Sequence, residues 1–127
     1  MTEKTYPETK YWGKKISTGG PQPVFKQLLP DGEKTELSPF ASLQLRDHSP
    51  DGFQWGYGGS GPAQLALALL LDVTGNPELT QAHYQDFKFY MVASWGEEWQ
   101  ITSMDILEWL KREEARELQE TVAFSKN

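Results

Sequence analysis

A run of aromatic and glycine residues that passes straight into an apolar run constrains this chain more than any other part of it. Phe53-Gln54-Trp55-Gly56-Tyr57-Gly58-Gly59-Ser60-Gly61-Pro62 is followed by Ala63-Gln64-Leu65-Ala66-Leu67-Ala68-Leu69-Leu70-Leu71. The pattern predicts a strand over Phe53 to Tyr57, a tight turn, and a helix over Pro62 to Val73. Four glycines between Gly56 and Gly61 allow positive φ and let another group come close. Pro62 suits a first helical position, where the missing N–H costs nothing. The amides of Ala63 and Gln64 then face the turn, as at anion-binding helix N-termini. A helix apolar on nearly every side belongs at the centre of a core.

The flanking sequence predicts an α+β domain. Tyr11 to Ser17 reads as a short strand. Val24 to Leu29 and Glu33 to Leu37 flank Pro30-Asp31-Gly32, a hairpin turn in which Pro presets one φ and Gly takes another. Leu43 and Leu45 alternate with polar neighbours and predict a further short strand, and Arg46 to Gly52 reads as a loop. After the central helix, Gly75 is placed as a C′ residue. Asn76-Pro77 caps and opens a second helix reaching about Ala93, with Leu79, Ala82, Phe87, Tyr90 and Met91 along its apolar side. Trp99 and Ile101 predict an edge strand. Thr102-Ser103-Met104-Asp105 is a capping signature with Asp in place of Glu or Gln. It opens a last helix carrying Ile106, Leu107, Trp109 and Leu110 and a charged tail, Lys111 to Glu120. The expected architecture is short N-terminal antiparallel strands, hairpin-rich, packed on about three helices.

Composition narrows the functions. A chain of 127 residues suits one domain, 1–127, with enough surface to bury a core unaided by disulfide or metal. There is no cysteine, which removes thiolate zinc sites and a cysteine nucleophile. Segment 1–10 is polar and is expected to be flexible, with no secretory signal. No apolar run is long enough to cross a bilayer, so a cytoplasmic setting is expected, the host-cell cytoplasm if the chain is phage encoded. The formal net charge of −6 argues against non-specific nucleic-acid binding and suits a basic partner. Five tryptophans are many for this length, and such rings are enriched at interfaces and ligand sites.

Gly56 to Gly61 satisfies G-x-G-x-x-G, but the helix that follows runs into another helix rather than a second parallel strand, so the dinucleotide reading fails. No Gly-Lys-Ser/Thr follows, so neither does a P-loop. A nest-like turn at a helix N-terminus remains, able to hold a phosphate or carboxylate. The candidate ligand residues are Tyr57, Gly58, Gly59, Ser60, Gly61, Ala63 and Gln64. Close packing of strand on helix is the alternative use of the same glycines. Arg46, Arg112 and Arg116 are possible anion partners. Arg112 and Arg116 share a helix face, with Glu108 and Glu120 placed to pair with them instead. Ser60 lacks a nucleophile elbow and reads as a cap. His48, His83 and the scattered carboxylates match no metal-ligand spacing, and Glu97-Glu98 and Glu113-Glu114 read as exposed charge. No set of acid, base and nucleophile emerges, so the expectation leans against an enzyme and includes no metal or cofactor.

Trp55 to Leu71, with Trp99, Asp105, Ile106, Trp109 and Leu110, resembles a family of small prokaryotic and phage-encoded proteins classed only as a domain of unknown function. The run Trp-Gly-Tyr-Gly-Gly-Ser-Gly-Pro-Ala-Gln carries the likeness most specifically. It implies a compact domain associated with mobile elements and brings no activity with it. Two readings follow: a small phosphate-bearing, nucleotide-like ligand held at the glycine turn, or an acidic, Trp-rich module that docks on a host protein and inhibits it without any small ligand.

Overall fold

The computed structural model describes residues 8–16 and 19–125. Four antiparallel strands form one sheet, β1 (Glu8–Lys14), β2 (Val24–Leu29), β3 (Lys34–Glu36) and β4 (Glu98–Thr102), in the order β3-β2-β1-β4. Four helices accompany it: α1 (Phe40–Leu45), α2 (Ser60–Thr74), α3 (Pro77–Tyr90) and α4 (Ser103–Ser125). A short 3-10 turn, Val92–Ser94, links α3 to β4. The fold is α+β. Residues 1–7 of the expected flexible segment and Ser17 of the expected first strand lie outside the described residues, whereas Glu8 to Lys10 belong to β1.

Tyr11 and Gly13 of β1 are buried, as are Val24 of β2 and Trp99 and Ile101 of β4. Register places Tyr11 opposite Ile101, and Gly13 opposite both Val24 and Trp99, so these residues share the face turned to the helices. α2 packs against α1, α3, α4 and the 3-10 turn. Every residue from Gly61 to Leu70 is buried. Tyr11 Oη donates to Asp72 Oδ2 at 2.6 Å, and Lys26 Nζ stands 2.8 Å from Asp72 Oδ1, fastening the sheet to α2. Burial, reinforced by the Asp72 carboxylate, raises the Tyr11 pKa well above the phenol range.

Helix ends follow local chemistry. Gly75 takes φ 62° after α2, and its N–H bonds Leu71 O at 2.8 Å. Asn76 Oδ1 accepts from Leu79 N, with Pro77 in the first turn of α3. Thr102 Oγ1 accepts from Asp105 N at 3.1 Å while Asp105 Oδ2 accepts from Thr102 N at 3.0 Å, a reciprocal capping box at the head of α4.

Two expected strands are absent among the described residues. Phe40–Leu45 is helical, since Pro39 stands at its N-cap and Ser42 Oγ bonds back to Pro39 O. Phe53 to Tyr57 contributes only one bridge, Gln22 with Phe53. Its alternation is real, with Phe53 and Trp55 buried, but the segment is held by long-range bonds rather than a ladder. Gly56 N donates to Val92 O, and Trp55 Nε1 to Gly96 O at 2.8 Å.

Candidate functional site

Part of the glycine turn is satisfied by the protein itself. α2 begins at Ser60, with Gly59 as its N-cap and no side-chain cap bond, so Ser60 is not the cap. Ala63 N is bonded to Gly59 O at 3.0 Å and is not free for a ligand. Gln64 is fully buried, and its side chain faces inward: Oε1 accepts from His48 N and Ser49 N, while Nε2 donates to Ser42 Oγ at 2.8 Å. The Tyr57 ring lies against Gly59, where a β-carbon would stand 2.6 Å from Tyr57 Cε2. Gly58 alone opens on unfilled space. Gly56 takes φ +91°, in the left-handed region.

Gly61 is the tightest point. A β-carbon there would stand 2.5 Å from Gln54 Cβ and 3.1 Å from Gln54 backbone nitrogen. Gly61→Ala is therefore expected to destabilise the protein by about 1–3 kcal/mol through overpacking. Gly59→Ala, which meets only the half-exposed Tyr57 ring, should cost much less. Urea melts of both variants test the contrast, and equal losses would mean that the Gln54 contact does not hold the turn.

None of the three arginines has a hydrogen bond or ion pair to the turn among the described residues. Arg46 Nε reaches Gln81 Oε1 at 3.3 Å. The cation that does approach is Lys15, whose Nζ lies 5.9 Å from the Trp55 ring centroid, a neighbour in space that spacing does not reveal. His48 Nε2 shares a hydrogen bond of 2.8 Å with Tyr84 Oη.

A more open site lies at the other end of the aromatic core. Trp55 meets Trp99 edge-on at 5.6 Å, and Trp99 stacks on Trp95 at 4.2 Å. Phe87 meets Trp95 and Trp109 edge-on at 6.4 and 5.1 Å. The chain of rings surfaces in a groove of about 350 Å³ lined by Met91, Trp95, Ile101, Glu108, Trp109 and Arg112, among others. Arg112 and Glu108 form no ion pair among the described residues, although they are four apart on α4. Immediately before Met91, Phe89 and Tyr90 form an edge-on pair at 5.1 Å, 68% and 58% exposed.

Arg116 sits in a different environment. Its guanidinium bonds Glu113 Oε1 at 2.5 Å and Glu120 Oε1 at 2.7 Å and stands 3.9 Å from Asp86 Oδ2. Glu113 is 6% exposed, so it is not the surface charge that sequence suggested. The Arg116 bonds hold the Glu113 carboxyl below the usual range, while burial and then the facing Glu113 carboxyl push Asp86 above it. Asp86, Glu113 and Glu117 bring carboxylate oxygens within 4.8 Å of one another. Their helical spacings were visible in the sequence, but the meeting of α3 with α4 that assembles them was not.

A family model described as a family of unknown function (DUF6166) matches residues 11–112. The match reaches back through β1, β2 and β3, beyond the likeness visible from Phe53 to Leu110. No curated protein matches the chain, and no solved structure does.

Proposed function

The chain belongs to this family of unknown function, DUF6166, and from that premise we propose that it is a protein-interaction module. Its docking site is the groove of Met91, Trp95, Trp109 and Arg112. The partner presents an apolar side chain with a carboxylate beside it. One observation carries this reading: the described residues give Arg112 no ion pair, and it lines the groove together with Trp95 and Trp109. Trp, Tyr, Met and Arg are the residues enriched at interface centres, and a guanidinium takes a carboxylate bidentately. The exposed Phe89 and Tyr90 beside Met91 widen the apolar surface. A cellular protein bound, and thereby inhibited, by a product of a mobile element is the setting that the resemblance implies.

The phosphate-ligand reading at the glycine turn has less support, since Ala63 N and the Gln64 side chain are already bonded and Tyr57 covers Gly59. The experiment is a peptide-display selection on the full chain. Peptides pairing an apolar residue with Asp or Glu are expected, and Arg112→Glu should weaken them about tenfold or more, with Ser60→Ala unchanged. Peptides indifferent to Arg112→Glu would overturn the reading. A nucleotide that raises the melting temperature of the wild type, but not of a folded Gly59→Val, would restore the turn as the site.

A further inference from the structure

We propose that the seam between α3 and α4 binds a divalent transition-metal ion through His83 Nδ1 and the carboxylates of Asp86, Glu113 and Glu117. The His83 side chain is only 8% exposed, yet its Nδ1 is buried without a hydrogen-bond partner. Buried ring nitrogens are ordinarily paired, and an orphan asks for a proton donor, an acceptor or a cation. The nearest charged atom is Glu117 Oε1, 3.7 Å away and beyond hydrogen-bond reach. The nitrogen therefore stands at the margin of the carboxylate cluster: it faces Glu117, whose oxygen lies within 4.8 Å of those of Asp86 and Glu113, while His83 itself is farther than that from at least one of them.

Two helical spacings produce this convergence. His83 and Asp86 are three apart on α3, and Glu113 and Glu117 are four apart on α4, so each pair shares a helix face. Such i,i+3 and i,i+4 pairs on facing helices build metal sites in helical bundles. Three carboxylates here meet one guanidinium, Arg116, which also serves Glu120 on the outer side. Local charge stays negative, and a half-exposed Arg116 can swing toward Glu120 and release Glu113. One imidazole with three carboxylates suits Zn²⁺ or Mn²⁺ better than Mg²⁺ or Ca²⁺, which take oxygen almost alone. Ligand atoms about 2.0–2.2 Å from zinc stand roughly 3.3–3.6 Å apart, so the carboxylates must close by up to about 1.5 Å and the imidazole must move in with them.

Titration calorimetry of the chelator-treated full chain with ZnCl₂, and separately MnCl₂, tests the site. One ion per chain is expected. His83→Gln and Glu117→Gln should each weaken binding about tenfold or more, since even outer-shell changes cost 10–100-fold. Glu117 is half-exposed, so Glu117→Gln remains informative if His83→Gln fails to fold. His48→Gln, which removes the other histidine, should bind as the wild type does. Arg116→Gln should bind more tightly, because a competing cation is gone. Wild-type binding that survives both His83→Gln and Glu117→Gln overturns the proposal. So does an ion taken up by Arg116→Gln but not by the wild type, which would make Arg116 itself the resident cation. No binding at millimolar metal overturns it as well.

Discussion

Trp55→Ala is expected to lower the unfolding free energy by about 3–5 kcal/mol, the largest single-residue loss in the molecule. Trp55 is fully buried, and its removal leaves an unfilled space beneath Trp99, which packs edge-on against it at 5.6 Å. It also strips Gly96 O of the indole donor at 2.8 Å. That bond and the Gly56-to-Val92 bond are what tie the glycine turn to the segment between α3 and β4. Equilibrium urea denaturation measures the loss. Trp55→Phe should recover part of it, since the ring contact returns without the donor. A loss under about 1.5 kcal/mol for Trp55→Ala would mean that the cavity collapses, and that this ring does not organise the core.

Gln64→Leu should cost about 2–4 kcal/mol even though the new side chain is apolar and close in size. Leucine fills the space but abandons three partners at once: the amides of His48 and Ser49 and the hydroxyl of Ser42. Ser42→Ala removes only one of those bonds and should cost about 1 kcal/mol. The second readout is amide hydrogen exchange at His48 and Ser49, expected to speed up in Gln64→Leu and not in Ser42→Ala. A neutral or stabilising Gln64→Leu would free Gln64 for a ligand after all.

Gln64 also shows where reading from sequence stopped. A single amide in an otherwise apolar helix is visible in the sequence, and its backbone N–H, near a helix N-terminus, points to the turn. Its side chain instead points across the buried face of α2 to α1 and the loop after it, an arrangement that depends on a helix α1 not read from the sequence. Leu43 and Leu45 alternate, and six residues are too few for period 2 and period 3.6 to be told apart. Ser38-Pro39 follows the end of β3 and opens that helix, with Pro39 at its N-cap. Caps were legible because they are local: Gly75, Asn76-Pro77 and the Thr102–Asp105 box each use residues within four positions. The groove and the carboxylate seam were not, because each requires α4 to meet other elements at a particular angle. Arg112 is a candidate anion partner in the sequence, and among the described residues Glu108, four positions before it, does not pair with it. Glu113 looked like surface charge until the residues of α3 closed over it.

The sheet order has a consequence for how the chain comes into being. β1 is the first strand made, yet one of its edges is closed by β4, whose residues 98–102 follow some eighty-four positions later. During synthesis the hairpin of β1, β2 and β3 can form early, but it presents β1 as a bare edge, with Tyr11 and Gly13 uncovered. Neither α2 alone nor α2 with α3 can close that edge. The closing partner leaves the ribosome only after Thr102, so the native sheet is assembled after most of the polypeptide has been translated. Closing a loop of that length is slow relative to helix formation, and for that interval the charged side chains that β1 itself carries, Lys10 and Lys14 among them, guard the open strand against pairing with another copy.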